Sequence, residues 1–292
     1  MHKERIDFVG IGAPKCGTTW LSECLAEHPE IGFAPDKEVY FFADSEARTY
    51  YDAGFKNWER GTAWYHKQFP EKPGAKIFGE YSVSYMYDPR CCERIRSYNP
   101  RAKILIALRN PVDVVYSWYW YNRTGLISKL PETFEGTMEI PYFRDLGCYD
   151  RALEPYFRVF PRESIHVIFH EEIKTDAIGV LERLFRFLWV DPAFRPEKRG
   201  EKVNAAKTTR FEALQTIGNA TYGVLKKTPG ISTVVNSRPF EKAVLAVYER
   251  VNRVPLSYPP IRPETRSELT AYYRPDVEKL ERLLGRDLSA WK

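Results

Sequence analysis

The stretch Ala13-Pro14-Lys15-Cys16-Gly17-Thr18-Thr19-Trp20-Leu21 sets one lysine, one glycine and two hydroxyls directly behind the apolar run Phe8-Val9-Gly10-Ile11-Gly12. A strand that enters a short Gly/Pro loop and leaves as a helix builds an anion cradle. Glycine lets the backbone approach the ligand, successive N–H groups point inward, and the helix N-terminus adds positive partial charge. A second unit of this kind is Lys103-Ile104-Leu105-Ile106-Ala107-Leu108, followed at once by Arg109-Asn110-Pro111. Asn110 suits the cap and Pro111 the first position of the next helix, and Ser117 falls about two turns into it. The chain therefore offers two cationic turns, one with Lys15 and one with Arg109. A third group of interest is Lys37-Glu38-Val39-Tyr40-Phe41-Phe42, just past the short apolar run Ile31-Gly32-Phe33-Ala34. Charged residues there sit at the carboxyl edge of a strand, where open α/β sheets bind ligands.

The first loop shares only part of the nucleotide P-loop pattern G-x-x-x-x-G-K-[ST]. Gly12 and Gly17 have that spacing, but Thr18 stands in the lysine position and the lysine has moved back to Lys15. A nucleotide-hydrolysing site also takes an acidic metal ligand from a second strand, and here that strand ends in Arg109. Both departures favour anion binding without magnesium over ATP chemistry. The plainer readings are a strand–turn–helix connection with a solvated Lys15, and a structural ion pair for Arg109.

The elements that position these groups alternate. Strands are expected at Ile6–Ile11, Ile31–Ala34, Lys76–Tyr81, Lys103–Leu108 and Ser164–Phe169. Helices are expected at Thr18–His28, from Asp88–Pro89 to Asn99–Pro100, from Pro111 onward, at Tyr149–Phe160 and over 174–189. Gly125–Gly147 reads as a loop near the site, and 44–75 as short helices and loops. Three more helices are expected near 211–219, 240–252 and 264–285, the last broken at Pro275. The order predicts an α/β fold: three P-loop-like layers, a mostly parallel sheet flanked by helices, a helical C-terminal region, and a single domain over 1–292. Trp118, Tyr119, Trp120 and Tyr121 suit either an acceptor-binding surface or core.

The 292 residues suffice for one large domain or two smaller ones. A net charge of +5 is too small and dispersed to argue for nucleic acid. The five cysteines (Cys16, Cys24, Cys91, Cys92, Cys148) form no C-x-x-C pair, and the five histidines are scattered, so no metal site is expected. Met1 runs almost directly into the first strand without an apolar signal region, and no run approaches a membrane span. With unpaired cysteines this predicts a reduced, cytoplasmic setting.

The three motifs, in this order, resemble those of the sulfotransferases that use 3′-phosphoadenosine 5′-phosphosulfate (PAPS). Ala13–Leu21 is similar to the 5′-phosphosulfate loop, Leu108–Pro111 with Ser117 to the 3′-phosphate site, and Lys37–Phe42 to the catalytic segment of the heparan-sulfate-type branch. Gly147-Cys148-Tyr149, Phe169-His170-Glu171-Glu172 and Tyr272-Tyr273-Arg274-Pro275 are also family-like. The resemblance implies that Lys15, Cys16, Gly17, Thr18, Thr19 and Trp20 hold the phosphosulfate, with Lys15 neutralising the leaving oxygen. Arg109 and Ser117 would hold the 3′-phosphate. The basic segment 198–210, with Lys202 and Asn204, would cover the nucleotide, and Glu38 would be the general base. Lys37, Tyr40, Glu80, Tyr81 and Trp120 fall to the acceptor, a small molecule or glycan. Two positions depart from the heparan-type pattern: Tyr81 follows Glu80 where a lysine is common, and Tyr40 stands where histidine is frequent. A P-loop kinase and an inactive nucleotide-binding module are the competing readings.

Overall fold

A computed structural model of the chain describes residues 5–43, 57–123, 130–200, 207–209, 253–255 and 258–292. Five strands, β1 (Phe8–Gly12), β2 (Ile31–Phe33), β3 (Ile77–Tyr81), β4 (Lys103–Leu108) and β5 (Ile165–Phe169), form one sheet in the order β2-β3-β1-β4-β5. Every neighbouring pair is parallel, as expected for strands joined through helices. Parallel strands covered on both faces must be apolar throughout, and β1 and β4 are buried along their length apart from half-buried Lys103. Two glycines allow the close packing at the centre. Gly10 pairs with Tyr81, and a Cβ there would lie 2.2 Å from the Tyr81 ring; one at Gly79 would lie 2.3 Å from the Phe8 ring.

The connection from β1 to β2 leaves in one direction, and that from β3 to β4 crosses β1 to the other side. The carboxyl ends of β1 and β4 therefore flank the point where the winding reverses, the usual ligand crevice of such sheets. The helix Thr18–Glu27 follows β1 and the helix Pro111–Arg123 follows β4. Asp88 caps the helix Pro89–Tyr98 through the Arg90 N–H at 3.0 Å, and Asn110 Oδ1 accepts from the Val112 N–H at 3.0 Å. Both caps were legible as Asx-Pro pairs.

The chain packs as two compact units. The first comprises Met1–Val115, Met138–Asn204 and Arg262–Lys292 and holds the sheet. The second comprises Tyr116–Thr137 and Ala205–Ile261. In it β6 (Lys207–Thr209) and β7 (Arg253–Pro255) pair antiparallel, and Tyr116 packs edge-on against Phe134 and Tyr258. Two sequence expectations are corrected. Within Gly125–Gly147, short helices form at Phe134–Met138 and Pro141–Asp145. The last helix runs unbroken from Pro263 to Leu284 with Pro275 inside it. Burial of Tyr273, Val277, Leu280 and Leu284 on either side outweighs the hydrogen bond that proline removes. The expected helices near 211–219 and 240–252 lie outside the described residues.

Candidate active site

The loop after β1 opens on Ala13, whose N–H donates to the Ala107 carbonyl on β4 at 2.7 Å. Lys15 is in the left-handed region, φ 62°, and so is Gly17, φ 89°, at the helix N-cap. Gly17 has no side chain to cap the helix Thr18–Glu27, and the first turn carries no acidic residue. The terminal N–H groups of this helix thus keep their positive end for a ligand. Lys15 and Thr19 are half-buried, and Thr18 is buried. Cys16 is fully buried, and burial pushes its thiol up to about 12, so it is a framework group and not a nucleophile. The Trp20 indole, also buried, donates to the Lys198 carbonyl at 3.2 Å. It ties the start of the basic segment to this helix; Lys202 and Asn204 lie outside the described residues.

Arg109, at the end of β4, reaches the same loop. Its Nη1 donates to the Lys15 carbonyl at 3.5 Å, and Nη2 lies 3.9 Å from Asp113. Asp113 is held more closely by Arg266, at 2.7 Å. Arg109 Nε is buried without a hydrogen-bond partner, an arrangement that costs free energy unless an acceptor is supplied. Tyr149 joins the two turns from beneath. Its hydroxyl donates to the Arg109 carbonyl at 3.0 Å and lies 4.0 Å from Cys16 Sγ. Nothing in residue type announced this role; the only signal was the family-like Gly147-Cys148-Tyr149 stretch.

The Lys37–Phe42 segment lies across the end of β3. Glu38 and Tyr40 both have positive φ, 69° and 53°. Of the four non-glycine residues with positive φ among those described, Lys15, Glu38 and Tyr40 belong to the candidate site, and strained backbone of this kind concentrates at functional sites. The Glu38 N–H donates to the Tyr81 carbonyl at 3.0 Å, and Glu38 Oε2 accepts from the Val83 N–H at 2.9 Å. Oε1 pairs with the Lys37 ammonium. The Glu38 side chain keeps 20% of its exposure, so it can meet a second molecule.

Glu80 and Tyr81 have no exposed surface. The Tyr81 hydroxyl donates to the Gly12 carbonyl at 2.8 Å. Burial raises its phenol well above the ordinary value, with the thiol of Cys16 and the carboxylate of Glu38 adding to the effect; its hydroxyl on Gly12 and its carbonyl on the Glu38 N–H join the strand β1 to the Lys37–Phe42 segment. The Glu80 carboxyl accepts from Tyr65, Tyr85 and Ser82. Burial pushes it up to about 7, with the Glu38 charge adding. Ser117 and Trp120 belong to the second unit. Ser117 is buried, and the Trp120 ring stacks on Tyr258 at 5.8 Å and 6°. Among the described residues no three His, Cys, Asp or Glu are grouped to hold a metal ion, and no helix is long and apolar enough to cross a membrane.

A parallel sheet flanked by helices, with cationic turns at its reversal point, is an α/β fold of the P-loop-like type. Residues 5–243 match the model of the sulfotransferase domain, and the chain belongs to the sulfotransferase family. It is 25% identical over 97% of its length to the bifunctional heparan sulfate N-deacetylase/N-sulfotransferase 3 of Homo sapiens, of which the match covers 31%. It is 28% identical to the heparan sulfate glucosamine 3-O-sulfotransferase 5 of Homo sapiens over 62% of this chain and 53% of that protein. The chain thus spans about a third of the first relative and about half of the second. The crystal structure of a sulfotransferase from Alicyclobacillus acidocaldarius superposes with a TM-score of 0.69 and 28% identity, covering 98% of each chain. The family and the parallel α/β fold expected from the motifs are thus both found.

Proposed function

We propose that the chain acts as a single sulfotransferase domain. It would transfer the sulfuryl group of PAPS to a hydroxyl of a carbohydrate, glycolipid or small natural product. The observation that carries this reading is the meeting of Arg109 with the Lys15 loop at the carboxyl ends of β1 and β4. The residues fit a ligand with two anionic ends: Arg109 Nε is a buried donor without an acceptor, and the helix behind Gly17 has an uncapped N-terminus. When bound, PAPS supplies an activated sulfuryl group on one side of its ribose and a phosphate on the other.

Lys15 and the N–H groups of Gly17, Thr18 and Thr19 would bind the phosphosulfate end. Arg109 would take the 3′-phosphate, together with Ser117 and, from the basic segment, Lys202 and Asn204. The Lys15 ammonium offsets negative charge as it grows on the departing phosphate oxygen, a form of electrostatic stabilisation that needs no proton movement. Glu38 accepts the proton of the attacking hydroxyl; its orientation comes from the Val83 N–H. Lys37, Tyr40 and Trp120 are the acceptor-side contacts in this reading. Glu80 and Tyr81, being buried, shape that side from within.

Calorimetric titration with 3′,5′-bisphosphoadenosine, and separately with ATP and magnesium, tests the donor site. Tight, metal-independent binding of the bisphosphate with weak ATP binding is the expected result; preference for magnesium–ATP overturns it in favour of a kinase. Glu38→Gln should abolish sulfate transfer and leave bisphosphate affinity intact. If that affinity is lost as well, Glu38 has a structural role.

A further inference from the structure

Glu80 is a carboxyl group at 0% exposure whose hydrogen-bond partners are all hydroxyls. Ser82 donates to Oε2 at 2.6 Å, while Tyr85 and Tyr65 donate to Oε1 at 2.8 and 3.1 Å. Each of these three residues also grips the Lys37–Phe42 segment. The Ser82 hydroxyl accepts from the Tyr40 N–H at 3.1 Å, and the Tyr85 hydroxyl accepts from the Phe42 N–H at 3.3 Å. The Tyr65 ring lies flat on Phe41, with centroids 4.2 Å apart and planes at 7°. With the Glu38 N–H on the Tyr81 carbonyl, alternate amides of the base segment hang on residues that surround one carboxyl group.

A hydroxyl has one proton to give. While that proton points at Glu80, the lone pairs of Ser82 and Tyr85 face the amides of Tyr40 and Phe42. Turned round, the same hydroxyl sets donor against donor. As a carboxylate, Glu80 accepts on both oxygens and keeps these hydroxyl protons turned toward itself; a proton on either oxygen makes that oxygen a donor and releases the hydroxyl facing it to turn.

We propose that Glu80 is a positioning residue for the base: its carboxylate orients Ser82, Tyr85 and Tyr65 so that they hold the strained segment carrying Glu38. This rests on the reading of Glu38 as the base. Glu80 would touch neither donor nor acceptor. The titratable groups facing it are Glu38 from the segment itself, Tyr65 from the helix Gly61–His66, Tyr85 from the turn Tyr85–Tyr87 and Cys91 from the helix Pro89–Tyr98. Burial pushes its titration up to about 7 with the Glu38 charge adding, against the bonds from Ser82, Tyr85 and Tyr65, which lower it.

Glu80→Gln removes the charge at nearly constant size. The expected result is a loss of roughly 10–100-fold in kcat, the range a small misplacement of a catalytic group produces, with bisphosphate affinity within about twofold of wild type. Wild-type kcat should decline on acidification through about pH 7 toward the level of the variant, and the variant should be flat over that range. Hydrogen exchange at the Tyr40 and Phe42 amides should accelerate, with the helix Thr18–Glu27 unchanged. Where the glutamine variant does not fold, Ser82→Ala and Tyr85→Phe carry the same test: the first should accelerate exchange at Tyr40, the second at Phe42. Exchange needs no turnover, so a protein that transfers no sulfate refutes the proposed function without deciding the anchoring. Unchanged exchange at both amides in these variants refutes the anchoring itself.

Discussion

Lys15 and Arg109, the two cations of the proposed donor site, differ in what surrounds them. Lys15 sits on left-handed backbone in a loop, while Arg109 is lodged between the Lys15 carbonyl and Asp113 with one donor left over. Removing either should weaken bisphosphate binding, and by unlike routes. Arg109→Ala also leaves Asp113 with Arg266 as its remaining partner, so we expect a modest fall in thermal stability beside a loss of affinity of about 2 kcal/mol or more, the scale of a charged hydrogen bond. Lys15→Ala should lower affinity while the carbonyl at position 15 that accepts from Arg109 stays in place; calorimetry on both variants, beside thermal melts of Arg109→Ala, measures the two losses. Both residues were readable in the chain because each directly follows an apolar strand, where chemistry in α/β sheets collects. Glu80 was visible as a residue but not as an anchor. Its partners Tyr65, Ser82 and Tyr85 carry no common spacing, and only the packed structure shows three hydroxyls on one carboxyl group.

Strands β1 and β4 and the helices behind them were legible because apolar runs ending in Gly/Pro or Asx-Pro leave the backbone few alternatives. The unbroken helix Pro263–Leu284 was not, since local propensity argues for a break that buried side chains overrule. The brace between the two cationic turns was equally hidden. Tyr149 enters from the helix Tyr149–Val159, about forty residues after Arg109, and its hydroxyl bonds the Arg109 carbonyl. Tyr149→Phe should cost about 1 kcal/mol of stability, the net worth of one hydrogen bond. Bisphosphate affinity should drop by more than that loss accounts for, because both cradles loosen together; urea melts beside calorimetry measure the difference. Gly17 is a further element-level test. At φ 89° an alanine costs about 1–2 kcal/mol of backbone strain, and Gly17→Ala should shift the urea midpoint accordingly.

At the scale of the whole molecule, two histidines among the described residues are held neutral by burial: His166 and His170 are each lowered to about 4, with nearby arginines adding to the effect. A folded-state value below the unfolded one means the unfolded chain binds the extra proton. The stability that depends on these groups is complete above about pH 6.5 and is lost as pH falls from there toward 4. His170→Asn removes one of the two. Its stability relative to wild type should improve by about 2 kcal/mol between pH 7.5 and pH 5 in denaturant melts; a constant difference would show that His170 does not titrate in this way. The positive φ angles at Lys15, Glu38 and Tyr40 carry one more consequence. Folding alone would favour glycine or asparagine at such places, and on the proposed mechanism turnover rewards the side chains that stand there. A mutant library sorted for thermostability should drift toward Gly or Asn at 15, 38 and 40, whereas one sorted for sulfate transfer should hold Lys15 and Glu38. The divergence between the two lineages would mark, without any bound ligand, where this protein gives up stability for chemistry.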